Sequence, residues 1–118
     1  MSFTDAVAQC ESDGAYLAFP KHLMENIFIS ALAGADDRSQ SWIGVHDSGK
    51  DGSFVSIDET DFWGEKWGDE EPRDWNTARG VIIDSDKLGE WYTRPKTPDV
   101  KFPFTCFNKI KCEFNHKY

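Results

Sequence analysis

The stretch Phe62–Asn76, FWGEKWGDEEPRDWN, holds three of the chain's five tryptophans and the carboxylates Glu65, Asp69, Glu70, Glu71 and Asp74, with no aliphatic side chain among them. Such a segment cannot build a hydrophobic core on its own. It reads as a long loop pinned by its indoles, with its acids turned toward water, a metal ion or a ligand. The elements on either side must then supply a scaffold compact enough to carry it.

At 118 residues the chain is long enough for one domain with a real core. A hydrophobic fraction of 39% and an aromatic fraction of 14% place it among globular rather than disordered sequences. No apolar run approaches the roughly 20 residues of a membrane span, so no membrane insertion by this chain is expected. The opening MSFTDAVAQC lacks the basic and apolar regions of a signal peptide. A formal net charge of −8 excludes the basic surface that nucleic acid requires. The negative charge is concentrated between Asp47 and Asp74, where ten of the 21 acids fall.

The three cysteines, Cys10, Cys106 and Cys112, do not have the spacing of metal ligands, so no structural zinc site is expected. They leave two readings. One is a long-range disulfide from Cys10 to either of the last two, worth about 4 kcal/mol through loop closure. The other is three free thiols in a reducing compartment.

Outward from the loop, the pattern gives an α+β domain with helices segregated from strands. Ser2 caps a first helix whose inner face carries Phe3, Ala6, Val7 and Cys10 at helical spacing, ended by Gly14. Tyr16–Phe19 is a short extended piece stopped by Pro20. A second helix is expected from His22 to Leu32, with Met24, Ile27, Phe28, Ala31 and Leu32 as its apolar face, and Ala35–Gln40 as a polar connector. Trp42–Val45 and Phe54–Ile57 are strands, joined as a hairpin by the turn Ser48–Ser53. After the loop at residues 58–79 come strands at Gly80–Asp84 and Glu90–Thr93, with a turn at Ser85–Gly89 between them. Val100–Phe107 follows, its Val100, Phe102, Phe104 and Cys106 alternating inward. Asn108–Tyr118 is a mixed, basic tail.

At this point the residues resemble a C-type lectin-like domain, over nearly the whole length of the chain. SFTDAVAQCESDGAYLA is similar to that family's first helix and HLMENIFI to its second. SWIGVHD, Ser41–Asp47, carries the WIG motif; Trp67 followed by Glu71-Pro72 is similar to the long-loop tryptophan and EPN-type motif. Glu90-Trp91 is similar to the tryptophan before the WND-type site, and KFPFTC to the closing strand. The resemblance implies a fold of two helices, small antiparallel sheets and a long loop. It implies a domain over residues 1–108 lacking the usual first strand, with residues 109–118 as a tail, and hence a closing strand with an exposed edge. It pairs Cys10 with Cys106, although the ending KCEF also offers Cys112 as the closing cysteine. The second family disulfide is absent, its positions falling at Gly80 and near Pro98, which predicts a loop unstapled at its base and more mobile than usual.

The function implied is a non-catalytic, extracellular or secreted recognition module that binds a carbohydrate or protein ligand. In sugar-binding relatives a calcium ion bridges oxygen ligands from the EPN and WND motifs. Here those motifs read Glu71-Pro72-Arg73 and Trp91-Tyr92-Thr93. Calcium takes 6–8 oxygen ligands, and an arginine supplies none. The expected contacts are therefore calcium-independent: Trp63, Glu71, Arg73, Trp75 and Tyr92. No cofactor is required, and one weakly bound Ca2+ on Asp69, Glu70, Glu71 and Asp74 is the metal the resemblance allows, with Asp47 or Asp86 nearby. Two alternatives remain: a calcium-dependent carbohydrate-binding lectin using those loop acids, and, remotely, a glycosidase-like enzyme built on two of the carboxylates. Trp42, Trp67 and Trp91 are expected in the core. Trp63 and Trp75 either cover the loop or stand exposed as contacts.

Overall fold

The computed structural model describes residues 1–35, 39–47 and 53–117. Most of the expected turn at Ser48–Ser53, part of the Ala35–Gln40 connector and Tyr118 lie outside the described residues. In chain order the elements are α1 (Phe3–Ser12), β1 (Tyr16–Leu17), α2 (Leu23–Gly34), β2 (Gln40–Asp47), β3 (Val55–Ser56), β4 (Arg79–Asp84), a 3-10 turn at Ser85–Lys87, β5 (Glu90–Pro95), β6 (Phe104–Asn108) and β7 (Glu113–Lys117). The strands form one seven-stranded sheet in the order β1-β6-β2-β4-β5, with β3 on β2 and β7 on β6. Two helices and a sheet in one domain is the α+β architecture expected. The sheet is mixed, because β2 meets β6 in parallel at Trp42 and Phe104 while the other strand pairs are antiparallel.

Helix α1 begins where the sequence places it. Ser2 Oγ accepts from the Asp5 amide, and Phe3, Ala6 and Cys10 are buried on the inner face. From that face Cys10 is disulfide-bonded to Cys106 of β6, which closes the chain across a separation of 96 residues. Cys112 is free and exposed. The glycine of the WIG motif is needed for close approach: a Cβ on Gly44 would stand 2.2 Å from the Leu17 carbonyl oxygen. Gly80 is as restricted, since a Cβ there would meet the Phe3 ring at 2.6 Å.

The inner face of α2 corrects the sequence expectation. Met24, Ile27 and Phe28 are 66%, 52% and 49% exposed, and Ala31 is exposed as well, while Asn26, Ile29 and Ala33 are buried. The cause is a polar side chain. The Asn26 carboxamide accepts from Trp91 Nε1 at 2.8 Å and donates to the Gly89 carbonyl at 3.1 Å, all within the core. Leaving the indole N–H and the Gly89 carbonyl unpaired in the core would cost about 1–3 kcal/mol each, which favours the rotation that buries Asn26.

A second correction concerns the closing strand. Its outer edge is not exposed, because part of the segment expected as a tail doubles back as β7 and pairs with β6 from Asn108–Glu113 to Phe104–Lys117. Asn108 Oδ1 accepts from the Ile110 and Lys111 amides in the intervening turn, and Cys112 there has a φ of 53°. Phe114 of β7 then packs on Phe107 at 4.6 Å and on Phe28 of α2 at 5.0 Å.

Substituting Asn26→Leu should lower unfolding free energy by about 2 kcal/mol in urea titration, because the Trp91 indole and the Gly89 carbonyl lose their buried partner. Unchanged stability would show that Asn26 does not set the α2 face.

Candidate functional site

The long loop runs from β3 to β4 and is held at several points along its length. At its centre the backbone pairs with β5: Trp91 N donates to the Lys66 carbonyl at 2.8 Å and Gly68 N to the Trp91 carbonyl at 3.0 Å. Trp67 packs edge-on against Trp91 at 5.5 Å and against Phe54 at 5.2 Å. Trp42 and Trp91 are fully buried, and Trp67 packs half-buried against the core, as expected of all three. Trp63 is also half-buried on the core, its amide donating to the Pro20 carbonyl at 3.0 Å.

The residues of the EPN- and WND-type motifs do come together. The Glu71-Pro72 peptide is cis. Glu71 Oε1 accepts from Thr93 N at 2.7 Å, from Thr93 Oγ1 at 2.6 Å and from Arg73 N at 3.2 Å. Arg73 N also reaches Thr93 Oγ1 at 3.0 Å, and Trp75 Nε1 donates to the Thr93 carbonyl at 2.9 Å. Buried Thr93 thus knits the loop to β5, a role that sequence reasoning did not assign to it. Its position directly after Trp91-Tyr92 was the available signal.

At the loop's base stands a buried ion pair. Arg79 Nε donates to Asp47 Oδ2 at 3.1 Å, Arg79 Nη1 donates to the Arg73 carbonyl at 2.9 Å, and the guanidinium lies 5.0 Å from the Phe54 ring. Asp47, named from sequence as a neighbour of the metal set, is fully buried against Arg79. Asp86 instead accepts from Ser39 Oγ at 2.9 Å.

Four side chains form one cluster on this face. Arg73 lies over the Trp75 ring with Cζ 4.1 Å from its centre; Arg94 lies 5.9 Å from the same ring and 5.9 Å from that of Tyr92. Arg94 Nη1 donates to the Thr93 carbonyl at 2.8 Å. Tyr92 Oη donates to Glu90 Oε1 at 2.9 Å, and burial, with that hydrogen bond and nearby carboxylates, pushes its pKa up to about 12. Of the expected contact residues, the structure gathers Arg73, Trp75 and Tyr92, with Glu71 tied beneath them through Thr93. Trp63 makes no ring contact with this cluster among the described residues. Arg94 belongs to the cluster and was missed, because a cation beside a proline on a strand end carries no sequence signal of its own.

The candidate metal ligands do not form a matching set. Asp69, Glu70 and Asp74 are exposed, and Asp74 Oδ1 accepts from the Asn76 amide at 2.7 Å. Among the described residues no group of three or more histidine, cysteine or acidic side chains is placed to hold an ion. Glu71 is engaged with Thr93, and Arg73 faces the indole. These residues do not fit a bridging calcium ion, which needs several oxygen ligands free to converge.

The Lectin C-type domain family model matches residues 1–107, and the chain belongs to that family. A lectin of Pleurodeles waltl is 31% identical over 118 residues, covering 96% of this chain and 67% of that protein. Collectin-10 of Gallus gallus is 28% identical over 91 residues, covering 76% of this chain; the chain spans only 32% of that relative's length. Human lithostathine has the same fold, with a TM-score of 0.77 at 24% identity over 89% of this chain and 82% of its own. No helix among the described residues is long and apolar enough to cross a membrane.

Replacing Thr93→Val should cost about 1–2 kcal/mol and speed amide hydrogen exchange at Arg73. Exchange at wild-type rates would mean that the hydroxyl does not hold the loop.

Proposed function

We propose that the chain is a non-catalytic, extracellular recognition module that binds a glycan or protein ligand through its long-loop face, without a bridging calcium ion. One observation carries this reading. Glu71, the ligand-like glutamate, spends one carboxylate oxygen on Thr93 and Arg73, so the two motifs that hold calcium in sugar-binding relatives are joined here by direct hydrogen bonds. The bond network does the ion's mechanical work: it fixes the loop against β5 and presents Arg73, Trp75, Arg94 and Tyr92 in a set arrangement. A face ordered before its ligand arrives loses less entropy on binding. The family and its lectin relatives support a glycan as ligand and binding, rather than bond cleavage, as the activity.

The expected outcome is that millimolar calcium and a chelator leave the melting temperature the same, and that a glycan array gives the same positives in both. An ion binding only the native state at 100 times its Kd would add about 2.7 kcal/mol, several degrees for a domain of this size. A calcium-dependent rise of that order, with glycan binding lost in chelator, would favour the calcium-dependent lectin instead.

A further inference from the structure

We propose that Arg73 and Arg94, set around Trp75, form an anion-binding subsite that selects glycans carrying a single sulfate or carboxylate group. The inference rests on the long-loop face being the binding face and names the class of ligand it takes.

The chain carries 21 acids against 13 lysines and arginines, and Asp69, Glu70 and Asp74 stand in the same loop. Yet among the described residues neither Arg73 nor Arg94 has a carboxylate within ion-pair distance. Both guanidiniums are instead oriented by one indole. That indole is itself pinned through Nε1 to the Thr93 carbonyl. A guanidinium stacked on a ring keeps its in-plane N–H donors available at its edge, in the fork that matches a sulfate or carboxylate. Arg94 spends Nη1 on the Thr93 carbonyl, and Arg73 spends no side-chain donor on any described residue. The same stacking leaves Trp75 poorly placed as a platform for a sugar ring, which moves recognition from the ring face to the charge.

The surroundings narrow the ligand further. Glu90 receives the Tyr92 hydroxyl, Asp69 adds to the negative field at Tyr92, and Asp74, exposed, follows Arg73 directly in the chain. Carboxylates accept hydrogen bonds from sugar hydroxyls but repel a polyanion. One anionic group among many hydroxyls suits this mixture; a polyacidic peptide or a densely sulfated chain does not.

The test is direct binding of the whole chain, in chelator, to immobilised lactose, sulfated lactose and sialylated lactose, with a sulfotyrosine peptide as a fourth ligand. At least one acidic sugar should bind about tenfold more tightly than lactose, and Arg73→Gln/Arg94→Gln should remove that preference. The sulfated and sialylated arms separate sulfate from carboxylate as the recognised group. Equal binding of neutral and acidic sugars would overturn the subsite and leave the loop-face reading standing. Preference for the peptide over every sugar would overturn the glycan assignment. Absence of binding to both acidic sugars would overturn the subsite, whereas the loop-face reading falls only if the glycan array is blank as well. The ligand comparison on the unaltered chain decides the matter even where the double variant fails to fold.

Discussion

The Trp91 side chain, fully buried, is the point through which the parts of this domain are fixed to one another. Its indole nitrogen holds Asn26 and so sets the rotation of α2. Its ring packs against Trp67 and Phe62, and its backbone pairs with Lys66 and Gly68. Helix, sheet and long loop therefore share one residue, and its contact with the helix depends on the indole N–H being satisfied in a place water cannot reach. An apolar residue of similar size could fill the space, but it would leave α2 free to turn its more hydrophobic side inward.

That dependence explains which parts of the fold were legible in the sequence. Helix α1 was readable because Ser2, Phe3, Ala6 and Cys10 give cap and face at the same helical period. The strands around Trp42 and Val81 were readable because continuous apolar runs of that length suit a buried sheet. The face of α2 was not, since hydrophobic periodicity counts Met24 and Phe28 and is blind to a buried asparagine whose partner lies 65 positions away. The Arg79–Asp47 pair was hidden for the same reason: each residue alone resembles a solvated charge. Within the candidate site, the motif residues were found by likeness to the family, whereas Thr93 and Arg94 acquire their roles only from the register of β5 against β4.

The site shows how a loop of this kind is kept in shape when its usual cross-links are missing. Gly80 leaves no space for a cysteine, because Phe3 fills it. The loop's base carries a buried ion pair, and its Glu71 is tied to Thr93 of β5. Removing one member of a buried pair typically costs 3–5 kcal/mol, about as much as losing a disulfide from a small domain. The two solutions differ in what they leave outside: here the bonds that close the loop also set out the arginines around Trp75.

Strand β7 carries a lesson about connectivity. The outer edge of β6 is filled by residues that follow it in sequence. An edge strand's unpaired amides and carbonyls accept any backbone of suitable register, whichever terminus delivers it. A segment arriving from the amino-terminal side would have to compete with β7 for that edge.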